Sequence, residues 1–208
     1  MKLCPHVILE GTRLTHKTEL AFRLNEHPGF VGPRKYRYHS PVVSGEWCGF
    51  TNTPWGRGLI NFNPEEESRA LETYNTWVRL FELLRYYSWI VDRFHISTQV
   101  HQMAARGAHY EFFQLEARLA AIDFRIILCT RDPGSFAAAR TARLAVSGNP
   151  RQYDDLSRFI VEQGQFREAV RRSTLRSLEI DVTDDDLDLA ADRVVAWLGE
   201  TGGLGSPT

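Results

Sequence analysis

Residues 6–18 read HVILEGTRLTHKT, and this stretch decides the fold. Its first five residues, His6-Val7-Ile8-Leu9-Glu10, are largely apolar and partly β-branched and stop at Gly11, the composition of a strand buried on both faces of a parallel sheet. From 17 to 24 the sequence KTELAFRL sets Leu20, Ala21 and Leu24 on one helical face, so a helix starts near Lys17. A strand, a glycine-headed loop and a helix opening on Lys-Thr form the setting that a phosphate-cradling loop requires. Gly11, Thr12, Arg13, Leu14, Thr15, His16, Lys17 and Thr18 fill the pattern GxxxxGK[ST] with one departure, His16 in place of the second glycine. In such a loop, successive backbone N–H groups and the helix N-terminus enclose a phosphate, a lysine ammonium reaches the outer phosphates, and a hydroxyl ligates Mg²⁺. Lys17 and Thr18 supply those two side chains. Position 16 is the difficulty, because a side chain there can crowd a nucleotide or disfavour the backbone of the loop.

Working outward, three more apolar runs read as buried strands: 88–92 (SWIVD), 124–129 (FRIILC) and 177–181 (SLEID). Helical patterns cover 64–86, 93–102, 109–122, 135–146, 153–172 and 184–198, the first opening on Asn63, Pro64 and three glutamates. Strands alternating with helices predict a parallel sheet with helices on both faces and strand 6–10 at its centre. Ligands in such a sheet bind beyond the carboxyl ends of the strands, which here carry 11–17, Asp92-Arg93, Thr130-Arg131 and Asp181-Val182-Thr183. The segment 28–64 is different in kind: glycines and prolines interleave with aromatic residues, a pattern of short strands and loops. One domain over 1–200 and a disordered tail over 201–208 are expected.

Composition bounds the function. The 208 residues carry 25 basic and 26 acidic side chains, a net charge of −1, so no basic field points to a nucleic-acid polymer. No apolar run approaches the ~20 residues that cross a bilayer, and no secretory leader opens the chain, so no membrane partner is expected. Cys4, Cys48 and Cys129 are widely spaced and odd in number, which predicts reduced thiols and a cytoplasmic protein. Only three of the basic residues are lysines (Lys2, Lys17 and Lys35), which makes Lys17 stand out. Asp92 at the end of a buried strand can hold Mg²⁺ or its water, with Arg93 beside it anchoring an anionic acceptor. Arg140 and Arg143 share a helix face at i, i+3 and, with Arg151, suit a lid that closes over transferring phosphates. The histidines show no metal-ligand spacing.

EGTRLTHKTELA (10–21), VDRFHISTQVHQ (91–102) and LCTRDPGSFAAARTARL (128–144), in that order, resemble the nucleoside monophosphate kinases, most closely the thymidylate-kinase-like group of P-loop kinases. LEIDVTDDDLDLAADRVVAWL (178–198) looks like the last strand and helix of that family. The resemblance covers nearly the whole chain except 28–64. It implies an α/β, three-layer P-loop kinase-like architecture, with 28–64 as an acceptor-side insertion and 140–153 as a lid. It also implies ATP-dependent transfer of a γ-phosphoryl group, with Mg²⁺, to a nucleotide-like or other small phosphate-bearing acceptor. Residue by residue, it implies that 11–18 and Arg151 bind ATP and that Thr18 and Asp92 hold the metal. Lys17, Asp92, Arg93, Arg140 and Arg143 would act in transfer, and Arg34, Arg93, Ser97 and Gln102 would meet the acceptor. Family members are often dimers, which makes a homodimer an expectation. Deoxynucleoside kinases usually carry Glu-Arg-Ser where this chain has Asp-Arg-Phe, which tilts the acceptor towards a monophosphate. Two alternatives stay open: a catalytically degenerate kinase-fold binding module, and a deoxynucleoside kinase.

Overall fold

A computed structural model describes residues 3–33, 42–53 and 56–205. Its centre is a five-stranded sheet in the order β2-β3-β1-β4-β5, every pairing parallel: β1 (His6–Glu10), β2 (Val42–Ser44), β3 (Trp89–Asp92), β4 (Phe124–Thr130) and β5 (Ser177–Asp181). Strand β1 is central, and its register sets Leu9 beside Asp92 on one side and Glu10 beside Leu128 on the other. The helices are α1 (Lys17–Glu26), α2 (Pro28–Val31), α3 (Glu67–Leu83), α4 (His95–Arg106), α5 (Phe113–Ala121), α6 (Phe136–Leu144), α7 (Leu156–Arg172) and α8 (Leu187–Glu200).

Alternation along the strands makes two cores. Ile8, Val91, Ile126 and Leu128 point to one face and pack with Phe81, Phe94, Leu119 and Phe166. Val7, Leu9, Ile90, Ile127 and Cys129 point to the other and pack with Leu20, Leu24, Val194 and Leu198. Both faces of β1, β3 and β4 are therefore dry, which is why these strands read as unbroken apolar runs, whereas the edge strands β2 and β5 are partly exposed.

Several expected boundaries shift. Pro64–Glu66 forms a short 3-10 turn, closed by the Asn63 N–H donating to Glu66 Oε2 at 2.9 Å, and α3 ends at Leu83. Helix α5 begins at Phe113 and α7 at Leu156, the latter capped by the Asp155 carboxylate on the Arg158 N–H. The disordered tail is corrected for 201–205, which turn back onto the sheet. The Arg125 guanidinium donates to the Thr201 carbonyl at 2.9 Å, the Cys4 N–H donates to the Leu204 carbonyl at 3.2 Å, and Gly202 supplies the positive φ of the reversal. The rest of the tail, 206–208, lies outside the described residues. No described helix is long and apolar enough to cross a membrane.

Candidate functional site

Strand β1 delivers the chain to the carboxyl edge of the sheet, where 11–16 turn into α1. Gly11 has φ +140°, and a Cβ there would lie 2.4 Å from the carbonyl oxygen of Cys129 on neighbouring β4. Leu14 and His16 also have positive φ, +66° and +50°. The loop thus holds a left-handed backbone that suits glycine, at positions where the sequence supplies leucine and histidine. At His16 the conformation is supported from outside. Its ring is turned onto Asp185, with Nε2 2.9 Å from Oδ1, and Glu19 lies 3.9 Å from Nδ1. Asp185, itself at φ +57°, also accepts a hydrogen bond from the buried Arg131 guanidinium.

The inside of the loop is polar. Among the described residues, no backbone N–H from Thr12 to Thr18 donates to a backbone carbonyl. Lys17 is 6% exposed, and its Nζ donates to the Thr12 carbonyl (2.5 Å) and the Thr15 hydroxyl (3.3 Å). Burial, with the Arg93 charge adding to it and Asp92 opposing it, brings the Lys17 ammonium down to about 8. The Thr12 hydroxyl donates to Glu162 on α7.

Asp92 closes β3. Its Oδ2 accepts from the Thr18 hydroxyl at 2.6 Å, while Oδ1 is buried without a hydrogen-bond partner. Burial raises its pKa, against the pull of Lys17, Thr18 and Arg93. A buried, unpartnered carboxylate oxygen beside a hydroxyl is a donor set that suits a hard cation. Among the described residues, no group of three or more His, Cys, Asp or Glu side chains could hold a metal ion. His95 is buried against Glu116 at 2.9 Å.

Arg93 follows in a left-handed conformation (φ +61°), 8% exposed. Its Nε lies 3.0 Å from Glu46 Oε2, and its Nη1 donates to the Ser97 hydroxyl at 3.4 Å. Ser97 in turn donates to buried Glu10 at 2.5 Å, so it positions Arg93 relative to the end of β1. The Arg93–Glu46 contact is an ion pair without hydrogen-bond geometry, whereas Glu46 Oε1 accepts a hydrogen bond from Arg13 Nη1 at 2.9 Å. Burial alone would raise the Glu46 carboxyl, but Arg93, Arg13 and Lys17 together hold it at about 2. Arg13, Glu46, Trp47, Arg93, Ser97 and Arg158 are among the residues lining a cleft of about 460 Å³ against the loop. A second cavity of about 500 Å³ lies between α4, α5 and α7, and its lining contains none of these residues.

Other expected site residues stand elsewhere. Gln102 is turned onto the backbone of 60–62: its amide donates to the Ile60 and Phe62 carbonyls at 3.1 Å each, and its oxygen accepts from Arg106 at 2.8 Å. It ties α4 to that segment and does not line the cleft. Arg143 reaches Glu19 on α1 at 3.1 Å and the Tyr153 hydroxyl at 3.2 Å. Arg140 pairs with Asp154 at 3.3 Å, and Arg151 is exposed in the turn Pro150–Tyr153. None of the three is hydrogen-bonded to the Lys17–Asp92 group in this conformation. Arg34 lies outside the described residues. Glu46, Glu162 and Asp185 were missed by the sequence reading. The usable signal for Glu46 was Val42-Val43, which places it at the carboxyl end of a strand on the same sheet edge.

An all-parallel sheet, a glycine-headed loop into α1 and a Lys–Thr–Asp group at the carboxyl edge define a P-loop kinase-like fold of the nucleoside monophosphate kinase type. Two solved structures share it. One is the YorR protein from Bacillus subtilis in complex with phosphorylated GDP, at TM-score 0.64 and 17% identity over 94% of this chain and 96% of that one. The other is thymidylate kinase from Candida albicans, at TM-score 0.52 and 14% identity over 98% and 94%. At these identities the likeness is one of fold. No family model and no curated protein matches the sequence.

Proposed function

We propose that this chain is an ATP-dependent phosphotransferase that passes the γ-phosphoryl group of ATP to a nucleotide-like or other small phosphate-bearing acceptor. The observation that carries the reading is the convergence of Lys17, Thr18 and Asp92 at one sheet edge, on a loop whose N–H groups from Thr12 to Thr18 are not paired to backbone carbonyls. Phosphoryl transfer needs positioning and charge neutralisation more than covalent chemistry from the protein. Those loop N–H groups and the Lys17 ammonium suit the donor phosphates. Thr18 and Asp92 would hold Mg²⁺, which supplies neutralisation of phosphate charge. Arg93 faces the acceptor cleft, and Arg140, Arg143 and Arg151 belong to a segment suited to closing over both substrates.

The test is a coupled ADP-release assay over nucleosides, nucleoside monophosphates and small phosphorylated metabolites. Release with monophosphates supports the reading, and release with nucleosides alone would make the chain a nucleoside kinase. A catalytically degenerate binding module is the competing reading, and leucine and histidine at left-handed loop positions are the observation in its favour. Absence of release with every acceptor, with ATP–Mg²⁺ bound weakly or not at all in calorimetry, would select it. Asp92→Ala should lower kcat by about 10²-fold, the usual scale for one preorganised electrostatic group. An unchanged kcat would remove Asp92 from the machinery.

Asp185 is expected to matter only because residue 16 is histidine. A non-glycine residue held left-handed costs roughly 1–2 kcal/mol. Asp185→Ala should therefore weaken ATP binding about 5–30-fold in the native chain, on the scale of that strain. In a His16→Gly background it should have little effect, and His16→Gly alone should bind ATP as well as the native chain or better. The double-mutant cycle by calorimetry reads the coupling directly. Equal losses in both backgrounds would show that Asp185 acts through Arg131 instead.

A further inference from the structure

We infer that Glu46 is an internal anion seated in the acceptor's own anion site, so that an acceptor binds by displacing it from Arg13 and Arg93; this rests on the phosphotransferase reading of the cleft. The position of Glu46 is set by backbone. After β2, the Gly45 N–H donates to the carbonyls of Asp92 (3.0 Å) and Arg93 (3.1 Å), and a Cβ on residue 45 would lie 2.4 Å from the Arg93 oxygen. Only glycine lets the turn press this closely on the end of β3, and the pressing delivers the next side chain to Arg93.

The carboxylate then spans two elements. Oε1 meets Arg13 of the loop at 2.9 Å, and Oε2 meets Arg93 at the β3–α4 junction at 3.0 Å. Two oxygens of one anion between two guanidiniums is the arrangement that a phosphate group would also present to them. Glu46 and Arg13 are about a third exposed, at 34% and 39% of their side chains, so the bridge is open to the cleft and to water. The Arg13 arm, at that exposure, contributes little to stability, whereas Arg93, with 10% of its side chain exposed, is the stronger arm that an acceptor must outcompete. Arg57, another guanidinium of the cleft, is already engaged by Glu66 at 2.9 Å.

The consequence is selectivity by charge. A tethered carboxylate competes with any incoming anion, and apparent affinity falls by the fraction of time the site is free. If Glu46 leaves the two arginines about a tenth of the time, affinity for an acceptor anion falls about tenfold. A neutral hydroxyl or a single negative charge gains too little from Arg13 and Arg93 to replace it. A doubly charged phosphate that can bridge both guanidiniums gains more, so the site selects acceptors carrying a phosphate dianion.

Inorganic phosphate is the probe, titrated into the full chain by calorimetry. Glu46→Gln is expected to bind phosphate about tenfold more tightly than the native protein, the factor for a site that is free about a tenth of the time. The gain should disappear in Glu46→Gln/Arg93→Met and persist in Glu46→Gln/Lys17→Met, which separates the cleft from the loop. Trp47 adjoins Glu46 and is 73% exposed on the same cleft, so saturating phosphate should shift its emission in the native protein, by difference against Trp47→Phe. Equal or weaker phosphate binding by Glu46→Gln overturns the inference, as does a gain abolished by Lys17→Met and kept in Arg93→Met. Should Glu46→Gln fail to fold, Glu46→Asp, one methylene too short to span both arginines, must show the same gain. ATP–Mg²⁺ calorimetry on the same proteins keeps the two readings apart: its failure removes the phosphotransferase reading, whereas the phosphate titrations decide Glu46.

Discussion

Replacing Lys17 with methionine should cost phosphoryl transfer roughly 10³-fold, at the upper end for one electrostatic group, while making the protein harder to melt. The two effects have one cause. The ammonium is 6% exposed, and its pKa falls from 10.5 to about 8, because burial and Arg93 disfavour the charge more than Asp92 favours it. At 1.36 kcal/mol per unit, keeping the proton costs the fold roughly 3 kcal/mol at neutral pH. Methionine removes that cost and forfeits the hydrogen bonds from Nζ, although the Thr12 carbonyl keeps its bond from the Thr15 hydroxyl. A net gain of about 1–2 kcal/mol raises Tm by roughly 2–8 °C in a chain of this size. The pH dependence carries the sign. Below about 8 both folded and unfolded chains hold the proton and the full cost is present. Between about 8 and 10.5 the folded chain releases it first, so the contribution to stability rises with pH and the advantage of methionine shrinks. Native activity should fall over the same interval as the ammonium is lost. Thermal melts at pH 7 and pH 9.5, with turnover by ADP release, check all three. Turnover within tenfold of native, or a lower Tm for Lys17→Met, would make Lys17 an ordinary structural lysine.

What the sequence disclosed was what neighbours in the chain determine. Strands β1, β3 and β4 were legible because a sheet covered on both faces demands continuous apolar runs, and 6–10, 89–92 and 124–130 are buried at every position. The run 177–181 also reads as a buried strand, yet β5 lies at the sheet edge with only Ile180 fully buried. Lys17, Thr18, Asp92 and Arg93 were legible because each sits at a fixed offset from the end of such a strand. Strand β2 was not: it has three residues, all only partly buried, at the edge of the sheet. Missing it hid Glu46, whose partner Arg13 is 33 residues away. Glu162 and Asp185 meet the loop across separations of 150 and 169 residues, which no local spacing encodes. The place of Gln102 was hidden for the same reason, since its amide is turned onto 60–62, a stretch with no readable periodicity. The start of the tail is held by Arg125, 76 residues before Thr201, a partner that nothing local in 201–205 announces.

Gly11→Ala should be the most damaging single-methyl change in the loop, lowering stability by roughly 3–4 kcal/mol, the sum of backbone strain and overpacking. That corresponds to a fall in Tm of roughly 6–16 °C. A methyl there meets the Cys129 oxygen at 2.4 Å and the Thr15 hydroxyl at 3.1 Å, at a φ of +140° that L-residues rarely adopt. The obstacle is backbone, and it cannot swing aside, because Glu10 and Leu128 are paired in the ladder one residue earlier. Relief requires separating β1 from β4 at the point where the loop begins, so phosphate binding should be lost with stability. Residue 16 presents a different demand. Its φ of +50° lies in the left-handed region that non-glycine residues visit at modest cost, and Asp185 holds the side chain clear of the loop. Of the two glycines the loop pattern calls for, the first is required by contact and the second only by conformation, which is why this chain can carry histidine at one and not alanine at the other. Melting curves for Gly11→Ala and His16→Gly decide it: a Gly11→Ala protein melting within about 2 °C of native, less than 1 kcal/mol on the same scale, would show that the strands part more readily than this packing allows.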